Sequence, residues 1–179
     1  NRYGMANVEP VIIEITPEDE AKLLRKHYRI RSRENEIWLY KEDENLLKLG
    51  VIEESTSQHC HPIVLVKKPN GSYRMCIDLR ELNKYVKLVT MPGPTREMTM
   101  AVGQAKVLSR IDLTTAFWQF PLHPKSRHLT AYVLPQGQRR QNAVLPMGYI
   151  NSTAELQRRL VPILGEMLGN SVLLYVDDI

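Results

Sequence analysis

Val172-Leu173-Leu174-Tyr175-Val176-Asp177-Asp178 carries a largely apolar run straight into two neighbouring carboxylates, and the reading of the whole chain turns on it. A run of this length bounded by acids predicts a strand covered on both faces. Val107-Leu108-Ser109-Arg110-Ile111-Asp112-Leu113 repeats the pattern, and Asp112 and Asp177 lie 65 positions apart. Ionised carboxylates at the ends of apolar strands are costly unless something compensates them, and divalent cations do so well. Two Mg²⁺ ions about 3.5–4 Å apart can activate a 3′-hydroxyl and stabilise a leaving pyrophosphate, which requires only a few carboxylates on rigid strands. Successive strand side chains point to opposite faces, so Asp177 and Asp178 approach one site only if the backbone turns there. We expect a tight β-turn at this pair, with its returning strand beyond the end of the sequence. Alone, an Asp-Asp pair reads as a plain polar turn, and it gains weight only through the motifs that accompany it.

Upstream, Pro62-Ile63-Val64-Leu65-Val66-Lys67-Lys68, the turn Pro69-Asn70-Gly71-Ser72 and Tyr73-Arg74-Met75-Cys76-Ile77-Asp78 predict a β-hairpin. Lys68 and Arg74 flank its tip, where they can clamp a triphosphate, or simply keep the strand soluble. Thr16-Pro17-Glu18-Asp19-Glu20 reads as a helix start running to about Arg29. A second helix is expected over 41–49, stopped by Gly50, and a third over 95–104 with Met98 and Val102 turned inward. Leu129 to Leu134 reads as a strand, Gly137 as a hairpin tip, and Ser152 to Leu164 as a helix capped by Asn151 or Ser152 and bent by Pro162. This irregular alternation favours an α+β architecture over a doubly wound sheet.

Composition sets the outer limits. With 179 residues, 43% hydrophobic and 25% charged, the chain can form a proper core, and no stretch approaches the roughly 20 apolar residues of a membrane span. We therefore expect a soluble intracellular protein with no membrane partner. Cys60 and Cys76 cannot build a disulfide framework and read as free thiols. Charge is uneven: residues 1–60 hold 9 Lys or Arg against 12 Asp or Glu, and residues 61–179 hold 15 against 8. A basic later portion suits nucleic acid or nucleotides, or is a solvated surface. His59-Cys60-His61 is spaced too tightly for all three side chains to ligate one tetrahedral ion.

Four ordered segments resemble the reverse transcriptases of LTR retrotransposons, most like the gypsy class, and of retroviruses. They are Gly50 to Glu53 with Pro62 to Lys68 and Arg74 to Asn83; Ser109 to Thr114 with Phe117-Trp118-Gln119; Leu145 to Gly148 with Asn151-Ser152 and Leu156-Gln157-Arg158; and Tyr175 to Asp178. The resemblance implies right-hand polymerase fingers plus an incomplete palm, with an antiparallel sheet packed on helices. Residues 1–49 would be an N-terminal leader with helices, 50–87 the fingers hairpin, 88–119 the first palm part, 120–151 the second fingers part and 152–179 the second palm part. It implies RNA-directed DNA synthesis by two-metal nucleotidyl transfer. Asp112, Asp177 and Asp178 would be catalytic and hold two Mg²⁺ ions, with Mn²⁺ as a substitute.

The same resemblance places Lys68 near the γ end of a dNTP and Arg74 over its α-phosphate. Phe117 would lie under the sugar, excluding a ribose 2′-hydroxyl, and Gln119, Met147 and Gly148 would line the nucleotide and template floor. The implied partners are an RNA or DNA template with primer, dNTPs, and the thumb and ribonuclease H regions of a parent polyprotein; the implied location is the cytoplasm, within virus-like particles. We expect the sequence to be a fragment of that polyprotein, without useful polymerase activity alone. Asn151 to Arg158 departs from the family's Asn-Ala-Pro-Ala-Thr-Phe-Gln-Arg, although no metal ligand is lost. The alternatives are a catalytically dead, nucleic-acid-binding remnant of a retroelement, and a two-metal nuclease of unrelated fold, which would leave Lys68, Arg74 and Phe117 unexplained.

Overall fold

Thr16 opens the first helix as its side chain allows: Oγ1 accepts the Asp19 backbone N–H at 3.1 Å, Pro17 enters the first turn, and Glu18, Asp19 and Glu20 sit at the positive end of the dipole. In this computed structural model, which describes residues 4–23, 30, 32–69, 71–90 and 96–179, that helix is α1 (Pro17–Ala21). Its expected continuation to Arg29 falls largely outside the described residues. The second helix, α2 (Arg33–Lys48), begins earlier than residue 41 and buries Leu39, Asp43 and Leu46, a spacing that marks one helical face. It ends where Gly50, at φ +68, lets its N–H reach the Leu47 carbonyl and the Val51 N–H reach that of Leu46, both at 3.0 Å.

The remaining elements follow in order: β1 (Ile52–Glu54), β2 (Ile63–Lys67), β3 (Tyr73–Ile77), α3 (Arg80–Asn83), α4 (Arg96–Gln104), α5 (Pro124–Arg127), β4 (Tyr132–Val133), β5 (Arg139–Asn142) and α6 (Ser152–Leu164). The fold is mixed helix and antiparallel sheet. Strands β2 and β3 form the expected hairpin, with Val66 opposite Arg74 and Lys67 opposite Tyr73; Asn70 of its turn lies outside the described residues. A second sheet, in the order β1-β5-β4, joins segments far apart in sequence. Its central row is Glu54, Arg140 and Tyr132. Arg140 Nε reaches both Asp43 oxygens of α2, at 3.2 and 3.1 Å, and so ties helix to sheet. The Asp43 side chain is 3% exposed, and burial pushes its carboxyl up while the Arg140 guanidinium opposes that shift.

Two apolar clusters fill the interior. One packs Leu39, Leu46, Val51 and Ile52 against Ile63, Tyr132, Leu134 and Val144. The other joins Val11 and Ile13 of the N-terminal segment to Leu79, Leu82, Phe120, Leu122, Leu156, Leu160 and Leu174. The N-terminal segment is stitched in by backbone bonds from Val11 N to the Pro121 carbonyl and from His123 N to the Val11 carbonyl, both 2.8 Å.

Several expectations need correction. Residues 107–113 and 172–176 do not form covered strands: they make isolated bridges, and Val107, Leu108 and Ile111 are 85, 60 and 57% exposed. Ile111 and Leu113 bond to Ile179 and Asp177, and no ladder continues over 107–110 among the described residues. Within 129–134 only Tyr132 and Val133 are strand, because a 3₁₀ turn at His128–Thr130 uses the backbone before them. Val102 of α4 is exposed rather than packed inward. Asn151 sits at the α6 N-terminus but its side chain does not cap; Nδ2 donates to the Lys87 carbonyl at 2.8 Å and Oδ1 accepts the Val89 N–H at 2.9 Å.

Candidate active site

The chain reverses at Tyr175-Val176-Asp177-Asp178. Tyr175 and Asp178 exchange both backbone hydrogen bonds at 3.0 Å, so the loop residues are Val176 and Asp177. The turn thus sits one residue earlier than the Asp pair, and its returning limb begins within the sequence at Asp178, correcting the expectation that this limb lies beyond the end. A two-residue hairpin loop needs positive φ at its first position, and Val176 supplies it at φ 61. For a β-branched side chain that conformation costs on the order of 1–3 kcal/mol. Thr115, three residues after Asp112, has φ 51 and is the other non-glycine residue with positive φ among the described residues. Backbone strain of this kind concentrates at functional sites, and both instances flank the aspartates.

Ile111 and Ile179 exchange backbone hydrogen bonds at 2.7 and 3.0 Å, which places Asp112 opposite Asp178 in the adjacent pair. In an antiparallel ladder this is the non-hydrogen-bonded pair, whose side chains share a face and come closest. Leu113 N donates to the Asp177 carbonyl at 3.3 Å, completing the contact. The backbone therefore carries two carboxylates separated by 66 positions to one face, with the third in the adjoining loop. Asp112 is exposed, and Asp177 and Asp178 are half-buried. The three do not form a tight cluster: among the described residues, the group whose ligating atoms all lie within 4.8 Å of one another is Glu20, His59 and His128. Arg110 Nε lies 3.1 Å from Asp178 Oδ1 in a largely exposed ion pair.

Lys68 and Arg74 lie on one face of the β2–β3 hairpin, since Arg74 stands opposite Val66 and Lys68 follows Val66 by two positions. The hairpin tip is closed by Lys68 N donating to the Ser72 carbonyl at 2.7 Å and Gly71 N donating to that of Lys68 at 2.9 Å. Both cations are exposed and border a cleft of about 210 Å³, together with Met147, Thr115 and Trp118. Three of the expected nucleotide-binding residues are thus brought to one cleft. Its lining includes Tyr132 and Asn142, whose Oη and Nδ2 are buried without a hydrogen-bond partner among the described residues.

The other expected residues, Phe117, Gln119 and Gly148, do not line this cleft. Phe117 sits in a 3₁₀ turn at Ala116–Gln119 and packs half-buried on the second apolar cluster. Gln119 Nε2 donates to the Thr114 carbonyl at 2.9 Å. Gly148 takes φ +93, and a β-carbon there would meet the Ile77 carbonyl oxygen at 3.4 Å. Asn83 fixes this loop from both sides: Nδ2 donates to the Gly148 carbonyl at 2.8 Å, and Oδ1 accepts the Ile150 N–H at 3.0 Å. Arg110 and Asn83 were not singled out from sequence, although each lies inside a segment that was. A larger cleft of about 430 Å³ between the N-terminal segment and α6 is lined by none of the expected residues.

The family model for reverse transcriptase (RNA-dependent DNA polymerase) matches residues 66–179, more than half of the chain. A Pro-Pol polyprotein of Simian foamy virus type 1 is 35% identical over 137 residues, covering 76% of this chain and 12% of that polyprotein. The Transposon Tf2-3 polyprotein of Schizosaccharomyces pombe is 34% identical over 134 residues, covering 74% and 10%. The chain therefore spans about a tenth of the length of these relatives. Among solved structures, a foamy viral protease-reverse transcriptase in complex with RNA/DNA hybrid matches with a TM-score of 0.76 at 28% identity, over 98% of this chain and 23% of that one. The family model, the polyprotein relatives and the overall fold agree, and the chain belongs to the reverse transcriptase family.

Proposed function

We propose that this chain supplies the nucleotide-binding and metal-binding part of an RNA-directed DNA polymerase that adds dNTPs to a primer 3′-hydroxyl by two-metal nucleotidyl transfer. The observation that carries the reading is the antiparallel bridge setting Asp112 opposite Asp178, next to a strained turn that presents Asp177. The donor set of three carboxylates fits Mg²⁺, which prefers carboxylate oxygen and keeps water and phosphate in its shell. Asp112, Asp177 and Asp178 would hold two Mg²⁺ ions, with Mn²⁺ able to replace them. When bound, the ions lower the pKa of the attacking hydroxyl and offset charge on the pyrophosphate.

The chain's own residues do the rest. Lys68 and Arg74, on one face of a hairpin over the cleft, neutralise and orient the triphosphate, the lysine as a mobile point charge and the arginine as a planar fork. Phe117 bears on the sugar and discriminates against a 2′-hydroxyl. Met147 and Gly148, on a loop pinned by Asn83, form with Gln119 the floor under the base and template. Template and primer would be RNA or DNA, which the basic composition of residues 61–179 suits.

Primer extension by the longer polypeptide that carries this chain is the test, because the chain spans a tenth of its relatives. Asp112→Asn and Asp177→Asn should each reduce extension more than about 100-fold with primer–template affinity kept. Extension at wild-type rate by either variant would refute the assignment. The 179 residues alone should give no processive extension. A second reading, a remnant that binds nucleic acid without catalysis, draws on Arg110 engaging Asp178 and predicts salt-sensitive binding with no Mg²⁺-dependent extension by the wild type.

A further inference from the structure

Glu20, His59 and His128 converge from three separate parts of the chain. Glu20 comes from α1, His59 from the loop before β2, and His128 from the 3₁₀ turn after α5. The two imidazole Nε2 atoms each lie 3.0 Å from the same Glu20 oxygen, and all three ligating atoms fall within 4.8 Å of one another. Tetrahedral Zn²⁺ with bonds of about 2.0–2.1 Å holds its ligands roughly 3.3 Å apart, close to the two nitrogen–oxygen separations, and the nitrogens lie within 4.8 Å of each other. Two imidazoles with one carboxylate make a donor set that suits a borderline cation such as Zn²⁺ far better than Mg²⁺.

The positions of the ligands are fixed by groups behind them. Ser57 Oγ accepts the His59 N–H at 3.1 Å and donates to the His128 carbonyl at 2.8 Å, so one hydroxyl holds both histidine backbones in register. Arg139 Nη1 anchors Ser57 in turn through its carbonyl at 3.0 Å. Glu20 N donates to the Thr16 carbonyl at 2.9 Å within α1. The His59 side chain is 16% exposed, whereas His128 and Glu20 are 39% and 33% exposed, leaving one side open to water as a fourth ligand. Cys60 and His61 take no part: the His61 ring bonds the Leu129 carbonyl at 2.8 Å, and burial holds the Cys60 thiol up, in its protonated form.

We propose that Glu20 Oε1, His59 Nε2 and His128 Nε2 form a Zn²⁺ site, apart from the aspartates, that staples the N-terminal segment to the body of the fold. It joins residues 39 and 108 positions apart. The test is titration of the full chain with Zn²⁺, and with Co²⁺ as a spectroscopic probe, in millimolar Mg²⁺ so that carboxylate-only sites are occupied. One Zn²⁺ per chain should bind, Co²⁺ should show the intense visible bands of a four-coordinate nitrogen–oxygen site, and the wild-type Tm should fall on chelation and return with Zn²⁺. His59→Ala and His128→Ala should each weaken binding by about 100-fold, and Glu20→Gln by about tenfold. Binding that is unchanged in the histidine variants, or a wild-type Tm indifferent to Zn²⁺, would overturn the proposal and leave a carboxylate hydrogen-bonded to two imidazoles. The wild-type Tm reading decides the matter if a variant does not fold.

Discussion

Val176 occupies a conformation that glycine adopts freely and a β-branched residue resists. Val176→Gly should therefore keep or raise the urea midpoint, whereas the same change in an ordinary strand costs about 1 kcal/mol or more. A clear loss of stability would mean that the valine's packing outweighs its strain. Asp78 offers a pH-dependent contact: Arg80 grips it with two bonds of 2.8 and 2.6 Å and holds its carboxyl below the usual carboxylate range. A carboxyl lowered in the folded state stabilises above its unfolded value, near pH 4, and loses that contribution as pH falls through the folded value. Arg80→Ala should lower stability at pH 7 by less than about 1 kcal/mol, since Arg80 is largely exposed, and the gap to wild type should close in acid. A gap that persists there would assign the contact to packing. At this scale sequence was informative only where neighbours in the chain are neighbours in space. Thr16 capping Asp19 was legible from four residues, whereas nothing near Glu20 announces His59 and His128.

The elements that sequence located well are those whose determinants are local. The β2–β3 hairpin closes over a handful of residues, and α6 falls at Ser152–Leu164, the expected span. Residues 107–113 and 172–176 were misread because an apolar run reports a preference for burial, not whether a partner strand runs alongside. Between elements, Arg140 of β5 and Asp43 of α2 make a deeply buried polar joint. Arg140→Ala would strand a carboxylate that is 3% exposed and should destabilise by about 3–5 kcal/mol, measured by denaturant unfolding. A change below about 1 kcal/mol would show that water reaches Asp43. Gly148→Ala combines φ +93 with a close approach to the Ile77 carbonyl and should cost at least ~1 kcal/mol with no nucleotide present. No change in unfolding would separate this glycine's importance from its backbone.

Across the whole molecule, Val107, Leu108 and Ile111 form an exposed apolar segment beside the aspartate bridge. The chain should self-associate through it, and Val107→Lys with Leu108→Glu should suppress that association in sedimentation velocity without lowering Tm. Association that is indifferent to both changes would move the sticky surface elsewhere. The sheet has a further consequence in time. Glu53 of β1 meets Gln141 of β5 across 88 positions. At a synthesis rate of about 5–20 residues per second, β1 leaves the ribosome roughly 4–18 s before its partner strand exists. The β2–β3 hairpin needs only its own loop, and such hairpins close within about 1–10 μs, so the two cations are in register long before the nascent chain has reached the strand that completes β1.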